Sequence, residues 1–231
     1  DGGKNLLFPG ELDLQLGGMD VDIHRRRIHV DEQHTRREAF GRDVGGKRLL
    51  DGRHGGTALD ISAVDKEVLE IANQRGTAIP HFNIDNIAGI EAVMEAADTE
   101  NYPVILSIGQ GAINAGNLWY LADAVQRAAN DSKVPVVLHL DHGVSYEQTV
   151  VCLRAGFTSV MYDGSHHPFE ENVRESLAVI RSAHAVGVSV ECELGAIGGV
   201  EDGMSHDHLN LVDVGEVERF CAQVDCDALA I

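Results

Sequence analysis

The 231-residue sequence predicts an α/β chain: an incomplete (β/α)8 TIM barrel of about six βα units, preceded by an irregular N-terminal extension. Three observations carry this expectation. Short, β-branched-rich apolar runs alternate with amphipathic stretches, as strands covered on both faces alternate with helices. Polar and acidic residues gather at the C-terminal ends of those runs, where a barrel carries its chemistry. The first strand-to-helix turn, "HFNIDN", lacks the glycines of a doubly wound nucleotide-binding sheet, which leaves that architecture as runner-up.

Taken in order, residues 1–57 come first. They hold ten Lys+Arg, ten Asp+Glu and eleven glycines, with no sustained apolar period, and read as an irregular extension with no recognisable domain. Residues 58–231 read as the barrel. A helix at 65–75 precedes the first strand and can plug one end of the barrel. Strand one is "AIPHFNI" (78–84). Ile87, Ile90, Met94 and Ala97 then repeat at helical spacing. Strand two is "PVILSI" (103–108), followed by Leu118, Leu121, Val125 and Ala128 on one helical face. Strand three, "PVVLHLD" (135–141), leads to a helix over 146–155, opened by Ser145 with Gln148 as a capping box and stopped by Gly156. Strands four, five and six are "SVMYDGS" (159–165), "SVECELG" (189–195) and "DALAI" (227–231). Sequential βα units with right-handed crossovers predict neighbours in chain order.

Composition excludes several functions. The net charge is −19, all of it after residue 57, which speaks against a nucleic-acid partner. No apolar run reaches the length of a membrane span, and the N-terminus shows no signal pattern. Four cysteines without CxxC spacing predict free thiols in a reducing, cytoplasmic setting.

The stretch "VPVVLHLDHG" (134–143) carries the chemistry. Alternation along strand three points Val137, His139 and Asp141 to one face, the barrel interior. His139 reads as a satisfied core histidine. Asp141 sits at the mouth, placed to move protons or to cap the next helix, and His142 follows, placed to hold a metal. Asp163 ends strand four and Glu193 ends strand five. One imidazole and two carboxylates converging on one mouth predict a divalent-metal site. Imine chemistry needs a lysine at a strand's C-terminal end, and the lysines after residue 57 are Lys66 in the first helix and Lys133 before strand three.

"GTAIPHFNIDN", "VPVVLHLDHG", "GFTSVMYDGSHHPFEENV" and "GVSVECELGAIGGVEDG" together resemble the class II fructose-bisphosphate/tagatose-bisphosphate aldolase family, from about Leu59 to Ile231. The resemblance implies a zinc-dependent barrel lyase. It would reversibly cleave a phosphorylated ketose, fructose or tagatose 1,6-bisphosphate, into dihydroxyacetone phosphate and an aldehyde. By that likeness His142 binds the catalytic zinc, and Asp163 and Glu193 bind a second or displaced metal. Asp141 is the acid/base at the C4 hydroxyl, Glu201 is a mobile-loop acid, and Asn83 lies beside the substrate. The resemblance also implies homo-oligomers among full-length members. Glu201 sits in a Gly-rich segment, which suits a closing loop.

The sequence departs from the family pattern at several points. Two further zinc-binding histidines are expected beyond Ile231, as are the Gly-rich phosphate loops, so a truncated and silent form is the expectation. Gly109 stands where many members carry serine, and Tyr162 replaces an aliphatic residue. His166, His167, His206 and His208 read as loop or packing residues, and Cys192 as core. The alternative is a non-catalytic barrel fragment that binds metal weakly. Metal-dependent hydrolysis is a weaker third reading, since it expects His-x-His where this chain has "PHF".

Overall fold

A computed structural model describes residues 65–195 and 212–231, and the backbone of two short strands between them. The expectation for residues 1–57 lies outside the described residues. In chain order the elements are α1 (Asp65–Arg75), β1 (His81–Asn83), α2 (Ile87–Glu100), β2 (Val104–Ile108), α3 (Gln110–Asn114) and α4 (Leu118–Asp131). There follow β3 (Val136–Gly143), α5 (Tyr146–Arg154), β4 (Ser159–Tyr162), α6 (Phe169–His184), β5 (Ser189–Glu193), β6 (Gly199–Glu201), β7 (Met204–His206), α7 (Val214–Cys221) and β8 (Ala228–Ala230).

Six strands form one parallel sheet in the order β1-β2-β3-β4-β5-β8. Chain-order neighbours are what right-handed βα units produce, and the order lacks the reversal of a doubly wound sheet. The sheet is therefore a half-barrel. β6 and β7 pair antiparallel as a separate hairpin, so the Gly-rich segment read as open loop has paired backbone on either side of residues 202–203.

Alternation along the strands sorts the core. Leu106, Ile108, Val136, Leu138 and Leu140 face the helices and pack with Leu121, Val125, Cys152 and Phe157. Ile105 and Val137 point the other way, onto Val68, Ala72 and Ile79. That second cluster shows where α1 lies: beneath the concave face, at the N-terminal end of the strands. The Lys66 amide donates to Ser189 Oγ at 3.0 Å, and Lys66 Nζ meets Asp227 at 2.9 Å. The helix thus plugs the end opposite the mouth. The Lys133 amide bonds Asp98 just before β3, so both lysines of the described residues sit away from the strand C-termini.

Helix ends follow local chemistry. Asn86 and Ser145 accept from the amides of Gly89 and Gln148, three residues on. The Gln148 side chain accepts from the Val144 amide at 2.9 Å rather than from that of Ser145, a variant of the expected capping box.

The strand that carries the opening motif is longer than the sequence suggests. β3 continues to Gly143, and its register with β4 slips between Leu140 and Gly143. Three steps along β3 match two along β4, which is a β-bulge at Asp141–His142. His142 has φ +48°, one of two non-glycine residues in the left-handed region among the described residues. Such a conformation is costly for a side chain with Cβ and persists where the surroundings over-determine it.

Candidate active site

The bulge re-aims two adjacent side chains. Asp141 turns toward β1 and accepts from Asn83 Nδ2 at 2.9 Å. Asn83 Oδ1 in turn accepts from the Ser107 hydroxyl. His142 turns the other way, and its Nδ1 lies 3.1 Å from Asp163 Oδ2 and 3.6 Å from Glu193 Oε2. Ligand atoms of His142, Asp163 and Glu193 all fall within 4.8 Å of one another. Glu193 is the last residue of β5, and Asp163 directly follows β4.

Each member of this trio is held by residues to which the sequence reading gave no role at the site. Gln110 Nε2 donates to the His142 carbonyl at 2.8 Å, while Gln110 and Gln148 bond each other through both amide ends. This clamp fixes the left-handed backbone of His142. Asp163 Oδ1 accepts from the Ser165 amide at 3.0 Å and the Ser165 hydroxyl at 2.6 Å, a local Asx-type turn made by "DGS". Asn172 Nδ2 donates to the Glu193 carbonyl at 2.9 Å. Gly164 is required there, since a Cβ would collide with Asn172 Oδ1. Of these supports, the Asp-x-Ser turn alone had a local sequence signal. The glutamines lie 38 residues apart.

Charge is tuned across the trio. The hydrogen bond to Asp163 lifts the His142 imidazole to about 9, against burial. Burial alone would raise Asp163, but bonds from His142 and Ser165 win and hold it at about 2. Without metal the two therefore form an ion pair. The folded pKa of His142 exceeds its ordinary 6.5, so its contribution is complete below about 6.5 and is lost as pH rises through about 9. The folded pKa of Asp163 lies below its ordinary 3.8, so its contribution holds above that value and is lost as pH falls through about 2. In chelator, thermal stability should decline between pH 6.5 and 9, and His142→Asn should flatten that limb. A limb of equal slope in His142→Asn excludes the pair as its source. Metal competes with the same proton, so affinity should rise across this interval.

The remaining sequence candidates divide. The backbone of Glu201 ends β6 and that of His206 ends β7, while their side chains and all of His208 lie outside the described residues. Gly109 precedes α3 as its N-cap. Tyr162 and Cys192 are buried in the core, and the ring centroids of His166 and His167 lie 4.0 Å apart with the planes tilted by 41°. His139 is 1% exposed and bonds Ser159 Oγ through Nδ1 at 2.7 Å. Its Nε2 has no hydrogen-bond partner, so the core histidine is satisfied on one nitrogen only.

The donor set of the mouth, one imidazole and two carboxylates, fits a divalent cation of the zinc type. A parallel half-barrel with such a mouth has the architecture of the β/α-barrel class. The sequence model of the family described as fructose-bisphosphate aldolase class-II matches residues 64–231, and the chain belongs to that family. It is 42% identical over 168 residues to a fructose-bisphosphate aldolase of Staphylococcus aureus, covering 71% of this chain and 59% of that one. To the fructose-bisphosphate aldolase of Geobacillus stearothermophilus it is 43% identical, covering 71% and 58%. Among solved structures, the YdjI aldolase of Escherichia coli K12 is similar with TM-score 0.64 and 30% identity, over 73% of this chain and 60% of that one. A putative fructose-1,6-biphosphate aldolase of Coccidioides immitis is similar with TM-score 0.62 and 32% identity, over 69% and 57%. The chain thus spans somewhat under two thirds of the length of these relatives. Among the described residues, no helix is long and apolar enough to cross a membrane.

Proposed function

We propose that this chain supplies the metal-binding and proton-transfer portion of a class II ketose-bisphosphate aldolase. The observation that carries the reading is the back-to-back placement of Asp141 and His142, with His142 facing Asp163 and Glu193 while Asp141 is oriented by Asn83. In this reading His142, with Asp163 and Glu193, holds zinc. Bound there, zinc would polarise the ketone of the substrate. Asp141 removes the proton from the C4 hydroxyl. The C3–C4 bond breaks, its electron pair stays with C3, and the C4 oxygen becomes the aldehyde carbonyl. Glu201 delivers a proton to C3, which completes dihydroxyacetone phosphate. In the reverse direction Asp141 returns its proton to the aldehyde oxygen. Asn83 holds the Asp141 carboxylate in place and lines the substrate side.

The likeness to fructose-bisphosphate aldolases favours fructose over tagatose 1,6-bisphosphate. The reading carries with it soluble, cytoplasmic metabolism and homo-oligomers. Within residues 1–231 the mouth offers one imidazole among the described residues, and catalytic zinc takes three protein ligands. The polypeptide 1–231 is therefore proposed to bind metal weakly and to need further barrel strands for turnover. The test is dihydroxyacetone phosphate release from both bisphosphates. It is run on this polypeptide and on a fusion to the part of the Staphylococcus aureus relative that lies beyond the match. Chelator-sensitive turnover in the fusion supports the reading. A folded, metal-loaded fusion with no turnover on either substrate overturns it.

A further inference from the structure

The concave face carries a second group of ligand-type side chains one layer below the mouth. His139 precedes Asp141 by two residues on β3, and Glu191 precedes Glu193 by two on β5. Both therefore point inward like their neighbours, but deeper. Asp65, the first residue of α1, reaches up to meet them from the plugged end. Ligand atoms of Asp65, His139 and Glu191 lie within 4.8 Å of one another.

We propose that Asp65, His139 and Glu191 form a second divalent-cation site inside the half-barrel, distinct from the mouth site. Hydrogen-bond directions support it. The Ser159 hydroxyl has one proton and donates it to Asp65 Oδ2 at 3.2 Å. Its oxygen must then accept from His139 Nδ1, 2.7 Å away, which places the imidazole proton on Nδ1. The lone pair of Nε2 is left pointing into the group, 3.6 Å from Glu191 Oε2. That nitrogen, on a ring 1% exposed, has no hydrogen-bond partner, and neither has the buried Asp65 Oδ1. A serine that fixes the tautomer while the other nitrogen faces a carboxylate is how a histidine ligand is prepared. Burial holds this imidazole well below its ordinary pKa, at about 3, so it is neutral and free to ligate.

Charge balance points the same way. Two carboxylates and a neutral ring share this space, and Lys66 beside Asp65 is turned to Asp227. Burial raises both carboxyls and favours their protonated forms, and a doubly charged cation would balance the pair once ionised. The mixed nitrogen and oxygen donor set suits zinc or cobalt better than calcium or magnesium. His139 is also within reach of His81 and Asp141, but His81 is exposed and Asp141 is engaged by Asn83. The buried grouping adds Asp65 Oδ1 to the His139 Nε2 that both groupings share, and so holds two buried atoms without a hydrogen-bond partner.

The site does not depend on the aldolase reading, and it is tested on the full 231-residue chain by metal analysis after equilibrium dialysis against Zn2+ or Co2+. His142→Ala removes the imidazole of the mouth and should leave one bound equivalent. Adding Asp65→Asn, which keeps shape and removes the charge, should abolish that equivalent together with the zinc-induced rise in Tm. Glu191→Gln should do the same and replaces Asp65→Asn if the latter misfolds. In the unsubstituted chain, Zn2+ should shift the nitrogen-15 resonance of His139 Nε2 while Nδ1 stays protonated. An equivalent that survives both Asp65→Asn and Glu191→Gln overturns the proposal. So does a His139 resonance that Zn2+ does not move, the outcome expected if a proton on Glu191 bridges to Nε2 instead.

Discussion

Asp141→Ala, made in the completed fusion, should lower turnover by about 10²–10⁴-fold, the usual contribution of a positioned general acid/base. Bound metal at the mouth should stay unchanged. The two effects separate because the bulge in β3 sends Asp141 and His142 to different partners. Asp141 bonds Asn83 and takes no part in the trio of His142, Asp163 and Glu193. His142→Ala should give the converse. Metal affinity should fall by more than about 100-fold, the upper range for losing a mere supporting partner, because a ligand itself is gone. Turnover follows the metal down. Paired measurement of metal content and of dihydroxyacetone phosphate release checks both. An Asp141→Ala protein that loses its metal, or keeps more than a tenth of its activity, removes Asp141 from the proton-transfer role.

Gly143→Ala should be among the most damaging single-methyl additions in this chain. A Cβ at 143 would run into the Met161 carbonyl oxygen and sit 2.8 Å from Leu140 Cδ2. The first of these is backbone in the adjacent strand and cannot rotate away. Relief requires β3 and β4 to separate at the bulge, which disturbs the Asp163 amide bond to the Gly143 carbonyl at 3.0 Å. Overpacking costs about 1–3 kcal/mol where side chains can adjust, and this site should reach the upper end or exceed it. Urea denaturation should show a lower midpoint at unchanged slope. Gly111→Ala is the control, because a Cβ there meets nothing within 4 Å. Equal midpoints for the two variants would show that the strands yield more easily than their packing implies.

Much of this was legible in the sequence for identifiable reasons. Near-continuous apolar runs such as "VVLHL" marked buried strands, and acids closing those runs marked the mouth, because side-chain period and strand polarity follow from the backbone alone. Asp163 and Glu193 were placed by that logic. His142 was expected beside them at the mouth, but the backbone device that aims it was not legible. Simple alternation puts Asp141 and His142 on opposite faces, and neither the one-residue bulge nor the left-handed φ has a signature in "DHG". The clamp by Gln110 and Gln148 was hidden because it joins helices α3 and α5 across the chain. Asp65 was hidden for another reason: an acid at the first position of a helix reads as a partner for the helix dipole. Only the position of α1 under the sheet turns it toward His139. Strand one was overextended at 78–84 because Pro80, which has no amide proton, stands at the edge where β1 begins.

The order β1-β2-β3-β4-β5-β8 has a consequence for how the chain comes off the ribosome. Each strand from β2 to β5 pairs with the strand made just before it, so these strands dock without waiting for a distant partner, while the contacts of α1 with Ser189 and Asp227 close last. The sheet can grow at the pace of synthesis, which adds roughly 5–20 residues per second. The mouth is then assembled in sequence: Asn83 first, Asp141 and His142 with the third strand, Asp163 with the fourth, and Glu193 with the fifth. From the emergence of Glu193 onward the nascent chain already holds the full trio, and a cation captured at that moment would knit three strands together while the rest is still being made.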